Sequence, residues 1–270
     1  MKELIERPIG VFDSGIGGLT VVRELRRQLP GEDIIYLGDS ARVPYGNKSE
    51  ETIRKFGLED ADFLMKLGVK VIVVACNTVS SVALNFLKEV IKDVPIFGVV
   101  EPGVRVAMQK SKSKRVGVIG TIATIKSGAH KSLFAEDFEV IGRACPLFVP
   151  LAEEGITSGP IAREVAELYL ADLRNKVDTV ILGCTHYPIL KGIVREVLGA
   201  GITLIDPAEE VTKEVFDFLL QRDLLNSKGG DLDIYLTDVP PHYVELITRF
   251  LGERVNNIMK ADLEKFCKEE

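Results

Sequence analysis

Two stretches of this chain resemble each other at a nearly constant spacing, and that repeat limits the fold more than any other feature. Gly10-Val11-Phe12-Asp13-Ser14 resembles Gly117-Val118-Ile119-Gly120-Thr121, an offset of 117 − 10 = 107. Pro44 aligns with Pro150 at an offset of 106. Val73-Val74-Ala75-Cys76-Asn77-Thr78 resembles Ile181-Leu182-Gly183-Cys184-Thr185-His186, where 184 − 76 = 108. Pro102 aligns with Pro207 at an offset of 105. Four landmarks in one order imply two similar units built on one scheme.

The scheme is legible in the apolar pattern. Ile9 to Phe12 reads as a buried strand, and Leu19, Val22, Leu25 and Leu29 follow at helical spacing up to Pro30-Gly31. Ile34 to Leu37 is the next strand. Ser49 can cap a helix running through Phe56 and Phe63 to a terminating Gly68. Val69 to Ala75 is a β-branched run, a helix is expected from about Val79 to Ile91, and Pro95 to Val100 reads as a fourth strand. Strand then helix, repeated, implies an α/β fold: two similar domains, each a mainly parallel sheet flanked by helices, related by pseudo-twofold symmetry. The expected division is 1–103 plus 213–270 for the first domain and 104–212 for the second. The tail after about Lys213 has no duplicate and should pack back on the first domain.

Composition narrows the function. The 270 residues are 46% hydrophobic and 27% charged, with a net charge of −6, so no basic footprint argues for nucleic acid. The longest apolar run, Val71 to Cys76, is too short to span a bilayer. A cytoplasmic protein with free thiols at Cys76, Cys145, Cys184 and Cys267 is therefore expected. No cysteine forms a CxxC pair, and Cys184-Thr185-His186 by itself does not make a metal site. Gly15-Ile16-Gly17-Gly18 lacks both the GKS ending of a P-loop and the full GxGxxG spacing, so carboxylate binding suits it better than nucleotide binding.

Ligands of an open parallel sheet bind beyond the carboxyl ends of its strands. Asp13-Ser14, Cys76-Asn77-Thr78, Thr121 and Cys184-Thr185-His186 all fall there. A lone cysteine at a strand end is usually core, but two at equivalent places of a repeat, each followed by polar residues, point to paired chemistry. If the two domains face each other, Cys76 and Cys184 approach one cleft from opposite sides. Inverting a stereocentre needs such a pair: one group removes a proton from one face, the other delivers a proton to the opposite face. Cationic neighbours or helix N-termini lower a thiol pKa and supply the thiolate. Asp13 would orient the first thiol, and His186 with Glu153 the second. Asn77, Thr78, Thr121, Thr124 and Thr185 offer neutral donors for carboxylate and ammonium groups. Cys145 and Cys267 lack such a setting, and His130 and His242 read as surface residues.

The motifs IGVFDSGIGGLTV (9–21), YLGDSARVPYG (36–46), VIVVACNTVS (71–80), VGVIGTIATIKSG (116–128), PLAEEGI (150–156), VILGCTHYPIL (180–190) and LIDPAEEV (204–211) together resemble the bacterial glutamate racemases of the aspartate/glutamate racemase superfamily. The resemblance runs over essentially the whole chain. It implies racemisation of glutamate by Cys76 and Cys184 without cofactor or metal, supplying D-glutamate for peptidoglycan. It implies Asp13, Asp39, Glu153 and His186 as assisting residues. Substrate contacts would fall on Asp13, Ser14, Pro44, Tyr45, Gly46, Asn77, Thr78, Thr121, Thr124, Thr185 and His186, besides the two cysteines, and the assembly would be a homodimer. His130 departs from the family, which often carries Tyr there. The competing readings are an aspartate or other racemase of the superfamily, and a two-domain protein that binds a small carboxylate without turning it over.

Overall fold

A computed structural model describes residues 2–255 and 258–263; Cys267 lies outside them. The strands are β1 (Ile9–Asp13), β2 (Ile34–Gly38), β3 (Val71–Val74), β4 (Ile96–Gly98), β5 (Arg115–Gly120), β6 (Glu139–Ala144), β7 (Thr179–Gly183), β8 (Thr203–Ile205), β9 (Leu232–Leu236) and β10 (Ile258–Lys260). They form two sheets, in the orders β10-β9-β2-β1-β3-β4 and β6-β5-β7-β8. Every described pairing is parallel. β1, β2, β3 and β7 are buried along their whole length, as parallel strands covered on both faces must be.

The second sheet repeats the middle of the first, down to its register. Val11 pairs with Tyr36 and Val73, and Val118 pairs with Gly142 and Ile181. Phe97 pairs with Val73 as Ile205 pairs with Ile181. These equivalences have offsets of 118 − 11 = 107, 142 − 36 = 106, 181 − 73 = 108 and 205 − 97 = 108, so the sequence repeat is a repeat of strand order and pairing. A one-residue slip would turn every side chain to the other face, which is why the offset stays nearly constant.

The caps behave as their residues dictate. Ser49 Oγ accepts the Thr52 N–H at 3.3 Å at the start of helix Glu50–Lys66, and Gly68 ends that segment at φ +76°. Two elements differ from expectation. The helix expected from Val79 to Ile91 is two, Asn77–Val82 and Leu84–Val90, broken at Ala83 after the Ser80-Ser81 pair. Serine pairs are a recurrent site of such breaks, and here Ser80 Oγ bonds the Val74 carbonyl at 2.9 Å rather than the helix. The fourth strand is confined to Ile96–Gly98, because a helix begins at Val100.

The tail returns to the first sheet: β9 adds beside β2 and carries β10 at the edge. A buried ion pair secures the chain leading into it. Lys70 Nζ lies 2.5 Å from Glu32 Oε2 with both side chains fully buried, and also donates to the carbonyls of Ile5 (2.8 Å) and Leu224 (2.9 Å). Glu32 Oε1 accepts the Asn226 N–H at 2.8 Å. Removing one member would leave an uncompensated buried charge, at a cost of about 3–5 kcal/mol.

Candidate active site

The carboxyl ends of β1, β3, β5 and β7 meet at a cavity of about 310 Å³ between the two sheets. That is the small end of the range for small-molecule pockets, roughly 300–1,000 Å³. Cys76 and Cys184, each two or fewer residues beyond its strand, both line it, Cys76 from the first sheet and Cys184 from the second. Both are nearly buried, at 4% and 7% exposure. Ser14, Pro44, Tyr45, Gly46, Asn77, Thr78, Thr121, Thr185, His186 and Glu153 line it as well.

The two thiols have different surroundings. Cys76 Sγ lies 3.5 Å from Ser14 Oγ, so the hydroxyl of Ser14, rather than the expected Asp13 carboxylate, is its direct partner. Burial, reinforced by the nearby Asp13 charge, pushes the Cys76 thiol up to about 12, against the expectation of a lowered value. A buried thiolate beside a carboxylate is penalised twice, so Cys76 keeps its proton. Cys184 Sγ lies 3.9 Å from His186 Nδ1, and His186 Nε2 lies 3.0 Å from Glu153 Oε1. Burial opposes the charge on His186, but the bonds to Cys184 and Glu153 outweigh it and raise the imidazole to about 10. The second thiol therefore has a cation beside it.

Three expected site residues lie behind the cavity wall. Asp13 is fully buried; its Oδ2 accepts the Gly15 N–H at 3.1 Å and its Oδ1 accepts from Thr185 Oγ1 at 3.5 Å. Burial holds this carboxyl above its ordinary value even though His186 pulls the other way. Asp39 belongs to a buried cluster: it accepts from Arg42 Nε at 2.5 Å, from Thr237 Oγ1 at 2.9 Å and from the Tyr45 hydroxyl, which also reaches Asp60 at 3.2 Å. The hydroxyl of Tyr45 is thus anchored away from the ligand space, and the cluster fixes the Pro44–Gly46 segment that lines it. Thr124 stands behind Thr78 and Thr121, 3.3 Å and 2.9 Å from their hydroxyls.

Contacts across the cleft hold it closed. Thr78 Oγ1 meets Thr121 Oγ1 at 2.9 Å, and Thr20 Oγ1 donates to the Thr185 carbonyl at 3.1 Å. Two glycines permit the closest approaches. A Cβ at Gly17 would overlap Thr185 and His186, and one at Gly46 would lie 2.8 Å from Thr121 Cβ. Within the Gly15–Gly18 turn, Gly17 is thus the point of packing against the other half of the protein, whereas a Cβ at Gly18 would meet Asp13, Tyr36 and Ala75 of its own half.

Tyr243, on tail helix Tyr243–Leu251, lines the cavity and was not expected there; no local pattern marks it, because its place depends on how the tail docks. Cys145 is buried beneath the second half, its thiol raised to about 12 by burial, and does not line the cavity. His130 corrects its surface assignment: it is 3% exposed, its ring nitrogens have no hydrogen-bond partner among the described residues, and burial lowers it to about 4. The short helix Ala129–Ser132 turns it inward toward Gly183. His242 is exposed. Among the described residues no three His, Cys, Asp or Glu side chains gather as a metal site, and no helix is long and apolar enough to cross a membrane.

Residues 9–215 match the family model of the Asp/Glu/Hydantoin racemases. The chain is 50% identical over 248 residues to the glutamate racemase of Aquifex aeolicus, covering 92% of this chain and 95% of that one. Its structure is similar to that of Francisella tularensis glutamate racemase in complex with D-glutamate, with a TM-score of 0.91, 41% identity and coverage of 97% and 99% of the two chains. The Thermus thermophilus glutamate racemase in complex with β-chloro-D-alanine gives a TM-score of 0.89 at 49% identity, with coverage of 97% and 99%.

Proposed function

The chain belongs to the Asp/Glu/Hydantoin racemase family, and we propose that it interconverts L- and D-glutamate using Cys76 and Cys184 as the two proton-transfer groups. The observation that carries this reading is one cavity lined by a thiol from each sheet, with unlike surroundings. In this arrangement the Cys184 thiolate, beside the His186 imidazolium, takes the proton from the α-carbon. Cys76, which burial keeps protonated, gives its proton to the opposite face. Running the reaction the other way exchanges the roles. Neutral donors on Ser14, Asn77, Thr78, Thr121 and Thr185 would hold the carboxylates. Closure excludes water, so the carbanion-like intermediate is not quenched by solvent.

The carbon acid, the base and the proton donor are all supplied by substrate and thiols, so the reaction as drawn needs no cofactor. D-Glutamate made in the cytoplasm would serve peptidoglycan synthesis. The protein would act as a homodimer: Ile161 and Leu168 stand 59% and 72% exposed, two turns apart on helix Gly159–Leu170, and a second copy of this chain would cover them.

Exchange of the α-hydrogen in heavy water tests the chemistry. Both enantiomers of glutamate should exchange and racemise, with aspartate turned over far more slowly, and Cys76→Ala or Cys184→Ala should abolish racemisation. Full racemisation by either variant would falsify the two-thiol assignment, and binding without exchange would leave only a carboxylate-binding protein.

A further inference from the structure

The tail helix Tyr243–Leu251 touches the site at more than Tyr243. The Phe250 ring packs edgewise on the His186 imidazole, with centroids 5.0 Å apart and planes at 73°. One residue earlier, Arg249 Nη1 donates to the carbonyls of Ala152 (3.5 Å) and Glu153. These carbonyls are at the end of helix Phe148–Glu153, where a cation is favoured; that of Ala152 also accepts the Gly155 N–H at 3.2 Å. Gly155, at φ +71°, makes room: a Cβ there would lie 3.0 Å from Arg249 Cζ. The helix that Arg249 caps is the one that presents the Glu153 carboxylate to His186 Nε2. Two neighbouring tail residues thus bear on the two members of one pair, one through a backbone and one through a ring face.

We propose that Arg249 and Phe250 are positioning residues, which hold Glu153 and His186 in register with Cys184 and so make the unduplicated tail part of the second proton-transfer group. This rests on the role given above to Cys184. Neither residue lines the cavity, so neither touches substrate. Phe250 is fully buried and Arg249 exposed, which fits a ring that fixes an orientation and a guanidinium that closes a helix end. Because the same helix packs on Leu19–Gln28 beneath the first sheet, the pair is referenced to the half of the protein that carries Cys76.

The variants Arg249→Met, Arg249→Lys and Phe250→Leu test it. Displacing a catalytic group by about 1 Å can cost about a hundredfold in rate, so Arg249→Met and Phe250→Leu should lower kcat about ten- to a hundredfold and leave KM within about twofold. Arg249→Lys, which keeps a cation at the helix end, should recover most of the loss. With α-deuterated glutamate, the enantiomer whose proton Cys184 removes should show a larger isotope effect in Arg249→Met, and the other enantiomer a smaller one. Equal changes for both enantiomers, or a Lys variant no better than Met, would overturn the proposal. A readout without substrate separates this from the racemase reading. The chain has three histidines, so the His186 ring nitrogens can be followed by ¹⁵N NMR in the ligand-free protein. Arg249→Met should change their protonation pattern at neutral pH while His242 stays fixed. Unchanged His186 signals would reject the positioning role even if glutamate is racemised, and changed signals would support it even if glutamate proves not to be the substrate.

Discussion

Gly17→Ala is a small perturbation aimed at the point where the two halves touch. Gly17 has no positive φ to lose, so any effect must come from the added methyl group. That carbon would lie 2.5 Å from both Cε1 and Nδ1 of His186, and would also overlap the Thr185 hydroxyl. Ordinary contact begins at 3.4 Å, so the ring must retreat by 3.4 − 2.5 = 0.9 Å or the halves must part by a similar amount. The edge that is struck carries Nδ1, the atom 3.9 Å from Cys184 Sγ. If the ring moves, Cys184 loses its cation at the right place. If the halves part, the Thr20–Thr185 and Thr78–Thr121 bonds stretch and the sulfurs separate. Either way about a hundredfold should be lost from kcat/KM, about 2.7 kcal/mol of transition-state stabilisation. Retreat of the ring would show in kcat, and parting of the halves in KM as well. Overpacking itself should cost only about 1–3 kcal/mol of stability, so circular dichroism should report a folded protein. The assay is racemisation of each enantiomer, followed by polarimetry, beside a urea melt. A Gly17→Ala protein with wild-type kcat and KM in both directions would refute the claim that this contact sets the site.

Stability should fall on the alkaline side. His186 titrates near 10 in the folded protein against about 6.5 ordinarily, so its contribution is complete below pH 6.5 and lost as pH climbs to 10; Cys76, raised from 9.0 to about 12, adds a loss between those values. Glu153→Gln removes a support of the His186 charge, so the gap between its urea midpoint and that of wild type should shrink from pH 6 to pH 10, and a gap independent of pH would reject the assignment. For the proposed homodimer, Leu168→Glu puts a charge on the exposed stripe of helix Gly159–Leu170 and should move the sedimentation coefficient from that of a dimer to that of a monomer; an unchanged coefficient would refute this helix as a dimer interface.

The first four strands were readable because buried parallel strands announce themselves by continuous apolar runs, and capped helices by their end residues; β6, with no fully buried residue, offers no such run. The repeat of Cys76 and Cys184 was readable because equal offsets preserve register. Beyond a strand's last residue that legibility ends. Asp13 and Ser14 are adjacent, yet Ser14 meets the Cys76 sulfur while Asp13 turns back to the Gly15 amide; sequence offers no period with which to tell them apart. Asp39 and Thr124 sit in motifs beside lining residues but face away, because Arg42 and Tyr45 claim one and the threonine cluster the other.

By itself the sequence determined the α/β layering, the internal duplication and the two thiols at equivalent strand ends, since each follows from local periodicity and spacing. Tertiary packing alone decided that burial beside Asp13 keeps Cys76 protonated while His186 stands charged beside Cys184, and that Tyr243, Arg249 and Phe250 reach the second half. Those outcomes depend on desolvation and on contacts between segments far apart along the chain, quantities that no window of neighbouring residues contains.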